Sequence, residues 1–380
     1  MATLFETTTI NGMVLKNRIV RSATWEGMCD ARGAPTEKLI NCYTALARGE
    51  VGLIMSGYAY VRRDGKQLPG KMAMDEDGLA GEMQRMVRAV HEAGGVLAVQ
   101  LVHGGGQTGS KSIGRPPLAP SAIKVDQYPD QPQELSLQDI QDLVLSFGQA
   151  ARRAREWGFD GVQLHGAHGY LINQFLSPLT NQRSDDYGGS AENRRRFLME
   201  VYRQVRQQVG RDYPVMIKLS GDDFLEGGLT EEESLQAAKW LSDNGIDALE
   251  ISGGTPASGK RSPARTEIHH PEQEGYHVPL SRIVKPEVSC AVMTVGGIRS
   301  HTIAKQVIAE GWADYVSLSR PLIREPDLPR KWRSCESETA MCRSCNGCFA
   351  PGLKEGGIYC VVDKKERELA DKRRGNPPPL

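Results

Sequence analysis

Gly161-Val-Gln-Leu-His165-Gly-Ala-His168-Gly-Tyr170-Leu-Ile-Asn-Gln174-Phe is the stretch from which the architecture unfolds. Up to Ala167 it is a near-continuous apolar run, the mark of a strand covered on both faces, and it gives way to His and Tyr. The segment before it, Ser136–Trp157, reads as a helix. Ser136 and Asp139 form a capping box, Ile140, Val144, Phe147, Ala151 and Ala154 form the apolar stripe, and Gly158 stops it. The same unit recurs along the chain. Strands are expected at Arg18–Thr24, Gly52–Ala59, Val96–Val102, Gly161–Ala167, Pro214–Ser220, Ala248–Ser252, Ala291–Gly297 and Asp314–Arg320. Further helices are expected at Pro35–Arg48, Glu192–Gly210, Ser234–Asn244 (behind a second capping box, Thr230 and Glu233), Leu280–Glu287, Thr302–Gly311 and Asp327–Arg333.

Strands alternating with helices give an α/β chain, either an open doubly wound sheet or a (β/α)8 TIM barrel; a count of eight strands closes the barrel and favours it. Thr7–Val14, with Asn11-Gly12 at its centre, reads as a hairpin that caps the barrel bottom. Residues 1–334 then form the barrel, 335–362 a Cys-rich extension, and 363–380 a mobile tail, charged and then Pro-rich. The 47 basic and 47 acidic residues among 380 cancel, which argues against a partner held by nucleic-acid phosphates. With 39% apolar and 25% charged residues the composition is that of a soluble globular chain. No run approaches the 18 or so apolar residues of a membrane span. The N-terminus, MATLFETTTI, lacks a basic start and a long apolar core, so no secretory signal is expected and a cytoplasmic location is. In that reducing setting the eight cysteines suit metal binding or catalysis better than disulfides.

Barrel sites collect at the C-terminal ends of strands. Those ends carry Ser22-Ala23-Thr24, Tyr58, Gln100 and His103, His165 and His168, Lys218, Ser252-Gly253-Gly254, Gly296-Gly297 and Ser319-Arg320. Two His three apart can present neighbouring N–H donors to one oxygen, and the Tyr170 phenol can give a proton; two donors on a carbonyl would polarise a conjugated C=C. The same pair also suits a metal or a purely structural role. Gly296-Gly297 admits an anion close to the backbone, with Arg320 supplying charge at the barrel's usual phosphate corner, although an ordinary βα turn would use the same glycines.

Several stretches together carry a resemblance: Leu15–Thr24, Val99-Gln-Leu-Val-His103-Gly-Gly, Gly161–Pro178, Asp186–Arg194, Val295-Gly-Gly-Ile-Arg299 and Ser317-Leu-Ser-Arg-Pro321. The chain resembles the old yellow enzyme family of FMN-dependent oxidoreductases, nearest the branch shared by 2,4-dienoyl-CoA reductase and trimethylamine dehydrogenase. The resemblance implies that Ser22, Ala23 and Thr24 lie along the FMN ring with Tyr58 beside it. It implies that Gln100 bonds the pyrimidine edge, that Lys218 sits near N1 and O2, and that Gly253, Gly297, Ser319 and Arg320 hold the phosphate. His165 and His168 would grip the substrate carbonyl and Tyr170 would protonate the α-carbon. Two positions depart from the pattern. Lys218 stands where many members have Arg, keeping the charge and losing the planar fork, and Trp25 stands where relatives often carry a Cys or Thr that tunes the flavin.

Cys342-Arg-Ser-Cys345-Asn-Gly-Cys348, followed by Cys360, has the spacing C-x2-C-x2-C-x11-C. Four such thiolates can wrap one [4Fe–4S] cluster; a structural zinc or free thiols are the alternatives. Cys29, Cys42, Cys290 and Cys335 have no such spacing and read as packing or surface residues. The motif is similar to the cluster motif of the dienoyl-CoA reductase branch, where a second flavin domain follows. The sequence ends twenty residues after Cys360, so the electrons are expected from NAD(P)H directly or from an electron-donor protein. The expected activity is that of an ene-reductase acting on an enone or enoyl-type small molecule, in a homo-oligomer. The loops Lys111–Glu134 and Thr255–His277 would set specificity. Amine or ether oxidation, or a redox sensor or electron carrier without a substrate, are the rivals.

Overall fold

The computed structural model describes residues 2–126 and 128–374. Strands β1 (Thr8–Ile10) and β2 (Met13–Leu15) form the expected hairpin. Asn11 and Gly12 both take positive φ, 43° and 78°, which is what a two-residue turn between right-twisted strands requires. Eight parallel strands then close a ring: β3 (Ile19–Arg21), β4 (Leu53–Met55), β6 (Leu97–Val102), β9 (Gly161–Gly166), β10 (Val215–Ser220), β11 (Ala248–Ser252), β12 (Ala291–Val295) and β13 (Tyr315–Leu318). Closure comes from β13 pairing with β3 and β4 pairing with β6, so the open-sheet alternative falls. A two-residue strand, β5 (Ala59–Tyr60), adds to the rim of β6, and a short pair, β7 (Leu118–Ala119) with β8 (Gln133–Glu134), ties down the loop that follows.

The helices are α1 (Glu37–Arg48), α2 (Ala80–Glu92), α3 (Ser110–Ile113), α4 (Leu137–Glu156), α5 (Leu171–Leu176), α6 (Ala191–Val209), α7 (Glu231–Asp243), α8 (Val278–Val284), α9 (His301–Ala309), α10 (Arg320–Arg324), α11 (Leu328–Arg333), α12 (Ala350–Lys354) and α13 (Val361–Arg373). Helix α2 lies outside the expected set, although Met83, Met86, Val87 and Val90 give it a buried stripe at helical spacing. The Ser136–Asp139 box forms in full. At α7 only the Thr230 half forms, because the Glu233 carboxylate pairs with Arg194 of α6 instead. The charged stretch after Lys364, expected as a mobile tail, is helical as far as Arg373. Its run of good helix formers is capped by Cys360, and Glu366 pairs with Arg324 and Arg343. The Pro-rich end lies outside the described residues.

Strand alternation sorts side chains to two cores. Ile19, Ile54, Val99, Val162, Ile217 and Leu249 face the helix ring. Val20, Leu53, Met55, Ala98, Met216, Ala248 and Met293 face inward and are closed from below by Ile10, Met13 and Leu15 of the hairpin. The inward positions two residues further on are Ser22, Gln100, Lys218 and Glu250, so an apolar floor carries a polar layer directly above it.

Candidate active site at the barrel mouth

The polar layer is a single hydrogen-bonded network sealed from solvent. Gln100 Nε2 donates to Gln163 Oε1 at 2.6 Å, and Gln163 Nε2 to Glu250 Oε2 at 2.9 Å. Ser22 Oγ donates to Glu250 Oε1 and accepts from Lys218 Nζ, each at 2.7 Å, and Lys218 and Glu250 form a buried ion pair at 3.4 Å. Burial pulls the Lys218 ammonium below its ordinary range, and the Glu250 carboxylate works against that pull. Gln100 Oε1 is left buried without a partner. Glu250 and Gln163 were missed in the sequence. A carboxylate in the otherwise apolar run Ala248-Leu-Glu250-Ile was the available signal, since a buried charge needs a partner.

Above this layer opens a cavity of about 480 Å³. Its wall includes Ser22, Ala23, Thr24, Tyr58, His165, His168, Tyr170, Lys218, Gly297, Ser319 and Arg320, so most of the expected site residues converge. Gln100 and Gly253 are not among the lining residues; the first lies in the network below, and the second packs against Phe224 and Leu280. Trp25 lines the wall, with its Nε1 donating to Pro69 O at 3.0 Å. His103 is withdrawn from the mouth, buried with Nε2 3.0 Å from the Asp64 carboxylate. The loop Thr255–His277 contributes Pro256, Pro263 and Tyr276, whereas no described residue of Lys111–Glu134 lines this cavity.

One wall is aromatic. The His165 ring lies 4.6 Å from that of Tyr170 and 5.2 Å from that of His168, with the Tyr58 ring 5.4 Å from Tyr170. Burial above all, and then neighbouring positive groups including Lys218, push both imidazoles well below their ordinary range, so both are neutral at physiological pH. His165 Nδ1 accepts the Ala167 N–H at 3.3 Å, which puts the ring proton on Nε2 as a donor. His168 sits at φ 62°, its Nε2 2.7 Å from Ser252 Oγ. Tyr170 Oη donates to Gln67 Oε1 at 2.8 Å, and burial above all pushes its phenol up to about 12. Lys71 lies behind, its buried Nζ 4.1 Å from the Tyr58 ring centre and without a hydrogen-bond partner, and burial pulls its ammonium well below the ordinary range. Neither Gln67 nor Lys71 carries a signal in the local sequence.

Another part of the wall gathers glycine, hydroxyl and guanidinium groups. Gly297 takes φ 72°, and a Cβ there would stand 2.6 Å from the Tyr276 ring, so only glycine fits beneath that ring. Ser317 Oγ is buried without a partner beside it, and Ser319 Oγ is 2.7 Å from Thr24 Oγ1. Arg320 lines the corner. Side-chain-free glycine backbone, an orphaned hydroxyl, a guanidinium and the Lys218 ammonium on one cavity wall are donors of the kind a phosphorylated flavin takes.

The Cys-rich extension closes this side. Ser344, Asn346, Phe349 and Leu353 line the same cavity. Cys342 and Cys348 are buried, Cys345 is exposed, and all four motif cysteines are free thiols. Backbone N–H groups of Ser344 and Asp363 donate to the sulfurs of Cys342 and Cys360, each at 3.5 Å. Among the described residues no three His, Cys, Asp or Glu side chains converge on a metal-sized point. The donor set therefore matches a cluster in kind but is not gathered around one. No described helix is long and apolar enough to cross a membrane.

The model of the NADH:flavin oxidoreductase / NADH oxidase family matches residues 3–337. An NADH oxidase of Thermoanaerobacter brockii is 40% identical over 365 residues, which cover 95% of this chain and 56% of that protein. Among solved structures, a 2-naphthoyl-CoA reductase complexed with 2-naphthoyl-CoA aligns with TM-score 0.88 and 28% identity, over 95% of this chain and 56% of that one. An old yellow enzyme homologue from Zymomonas mobilis aligns with TM-score 0.77 and 29% identity over 89% and 94%. Histamine dehydrogenase from Rhizobium sp. 4-9 gives TM-score 0.83 and 27% identity over 95% and 52%. The chain spans about half the length of the curated relatives it matches.

Proposed function

From the premise that the chain belongs to the NADH:flavin oxidoreductase / NADH oxidase family, we propose an FMN-dependent ene-reductase of the old yellow enzyme type. It would reduce the activated C=C of an α,β-unsaturated carbonyl compound with electrons from NAD(P)H or a partner protein. The observation that carries this reading is Tyr170 packed on His165 at the cavity wall, a protonated phenol beside a neutral imidazole donor. FMN, when bound, supplies the hydride transfer, and the protein supplies position and electrostatics. His165 donates from Nε2 to the substrate carbonyl oxygen, with His168 beside it, and polarises the alkene. Tyr170 Oη gives its proton to the α-carbon, and Gln67 and Tyr58 hold the phenol in place. Ser22, Ala23, Thr24 and Tyr58 flank the ring, Lys218 sets a positive charge at its pyrimidine side, and Gly297, Ser319 and Arg320 hold the phosphate. Gln100 supports this floor through Gln163, and Gly253 leaves room for the β11 turn.

Tyr170→Phe tests the reading in the two half-reactions separately. Oxidation of reduced flavin by an enone should slow by about 10²–10⁴-fold, the usual worth of general acid catalysis. Flavin reduction by NAD(P)H, and reoxidation by a quinone, should change little. Equal slowing of both halves would make Tyr170 a wall of the pocket rather than the donor.

Cys342, Cys345, Cys348 and Cys360 are proposed to hold a [4Fe–4S] cluster, supported by their spacing and by the two N–H···S contacts. Iron and acid-labile sulfide should appear in near-equal amounts after anaerobic preparation, and zinc in their place would refute it. An amine dehydrogenase remains the second reading, favoured by the histamine dehydrogenase likeness; flavin reduction by amines and none by NAD(P)H would establish it.

A further inference from the structure

The guanidinium at the phosphate corner is held between a barrel loop and the Cys-rich extension. Arg320 Nη1 donates to Arg265 O at 2.8 Å, to Ser344 O at 3.2 Å and to Asn346 Oδ1 at 2.7 Å. Asn346 spans a gap in turn, its Nδ2 donating to Ala264 O at 2.7 Å. Two of these acceptors flank Cys345 in the Cys-rich loop, and both Ser344 and Asn346 sit at positive φ, 52° and 57°. Non-glycine residues persist there only where the surroundings fix them. The segment leading into the loop is also pinned to the turn between β12 and α9, since Ala340 N donates to Arg299 O at 2.8 Å. All three acceptors take Nη1, the Tyr276 hydroxyl also bonds the guanidinium, and Arg320 lines the cavity, where its remaining N–H capacity can meet an anion.

We propose that Asn346 is a positioning residue for the flavin phosphate: through Arg320 it sets the affinity for FMN while leaving recognition of the flavin ring untouched. Asn346 does not itself touch the phosphate in this role. The Cys-rich loop then belongs to the cofactor site and is not an appendage that could be removed at no cost to it. The inference rests on the reading of this corner as the phosphate site.

The probes are FMN and riboflavin, titrated by fluorescence quenching into the full-length chain after flavin removal. Riboflavin has the same ring and ribityl chain and no phosphate. Asn346→Gly is the variant of choice, because glycine keeps the backbone at φ 57° while deleting the side chain. Loss of a hydrogen bond to a charged group should raise the Kd of FMN by about 10–100-fold. Riboflavin affinity should stay within about twofold, which also reports that the variant is folded. Asn346→Ala provides a second chance at the same result should the glycine variant not accumulate. Unchanged FMN affinity, or an equal loss for both flavins, would overturn the proposal, the latter because it would mean a collapsed loop. Wild-type protein that binds riboflavin as tightly as FMN would instead overturn the phosphate reading beneath it.

Discussion

Tyr170 and Lys218 show how burial decides the chemistry of single side chains. With its phenol pushed up to about 12, Tyr170 stays protonated across the physiological range. The donor form is lost only as pH rises through that value. The enone half-reaction should therefore show no alkaline fall attributable to Tyr170 below about pH 10. A stopped-flow profile that falls between pH 7 and 9 and flattens in Tyr170→Phe would contradict this. Lys218 is bound by different constraints. Its ammonium is one member of a sealed network, so Lys218→Met would leave the buried Glu250 side chain without its cationic partner. Breaking one side of such a pair costs about 3–5 kcal/mol. Denaturant unfolding should show that loss, and Lys218→Arg should recover part of it by keeping the charge.

Among the elements, the turn at residues 63–65 illustrates a pH-dependent contribution. Asp64 accepts from His103 at 3.0 Å and from Arg62 at 2.7 Å. Burial alone would push its carboxyl up, but the bonds from His103 and Arg62 prevail and hold it well below the ordinary carboxylate range. A carboxyl lowered on folding stabilises above its unfolded value, about 3.9, and loses that contribution as pH falls through the folded one. Asp64→Asn should thus lower the thermal midpoint by a constant amount above about pH 5, and the gap to wild type should narrow below about pH 4. A gap that widens in acid would show the carboxylate is not stabilised there. Gly65 explains why the turn tolerates no bulk: a Cβ would stand 2.4 Å from the His103 ring.

At the scale of the whole molecule, the C-terminal end of the barrel carries orphaned polar atoms, of which Ser317 Oγ lines the cavity itself. Gln100 Oε1, Ser317 Oγ and His277 Nε2 are buried without partners. Binding to the folded state alone adds about 2.7 kcal/mol at a hundredfold excess over Kd. Removing flavin should lower the thermal midpoint, and FMN should restore it in a concentration-dependent way. A midpoint indifferent to FMN would argue that the cavity is not its site.

What the sequence by itself determined is periodic or covalently spaced. Apolar runs broken by helical stripes counted eight strands, Asn11-Gly12 set the hairpin, and the strand ends carried Ser22, Gln100 and Lys218 toward the mouth. His165, His168 and Tyr170 fall within one strand end, so their proximity is local. What only the tertiary structure decided is which distant groups share a bond. Gln67 reaches Tyr170 across 103 residues, Ser22 reaches Glu250 across 228, and Asn346 reaches Arg320 from beyond the last barrel strand. No periodicity records such pairings, because barrel closure sets them by bringing strand ends together. His103 shows the same limit from the other side: a strand-end position promised a place at the mouth, and the Asp64 carboxylate drew the ring away from it.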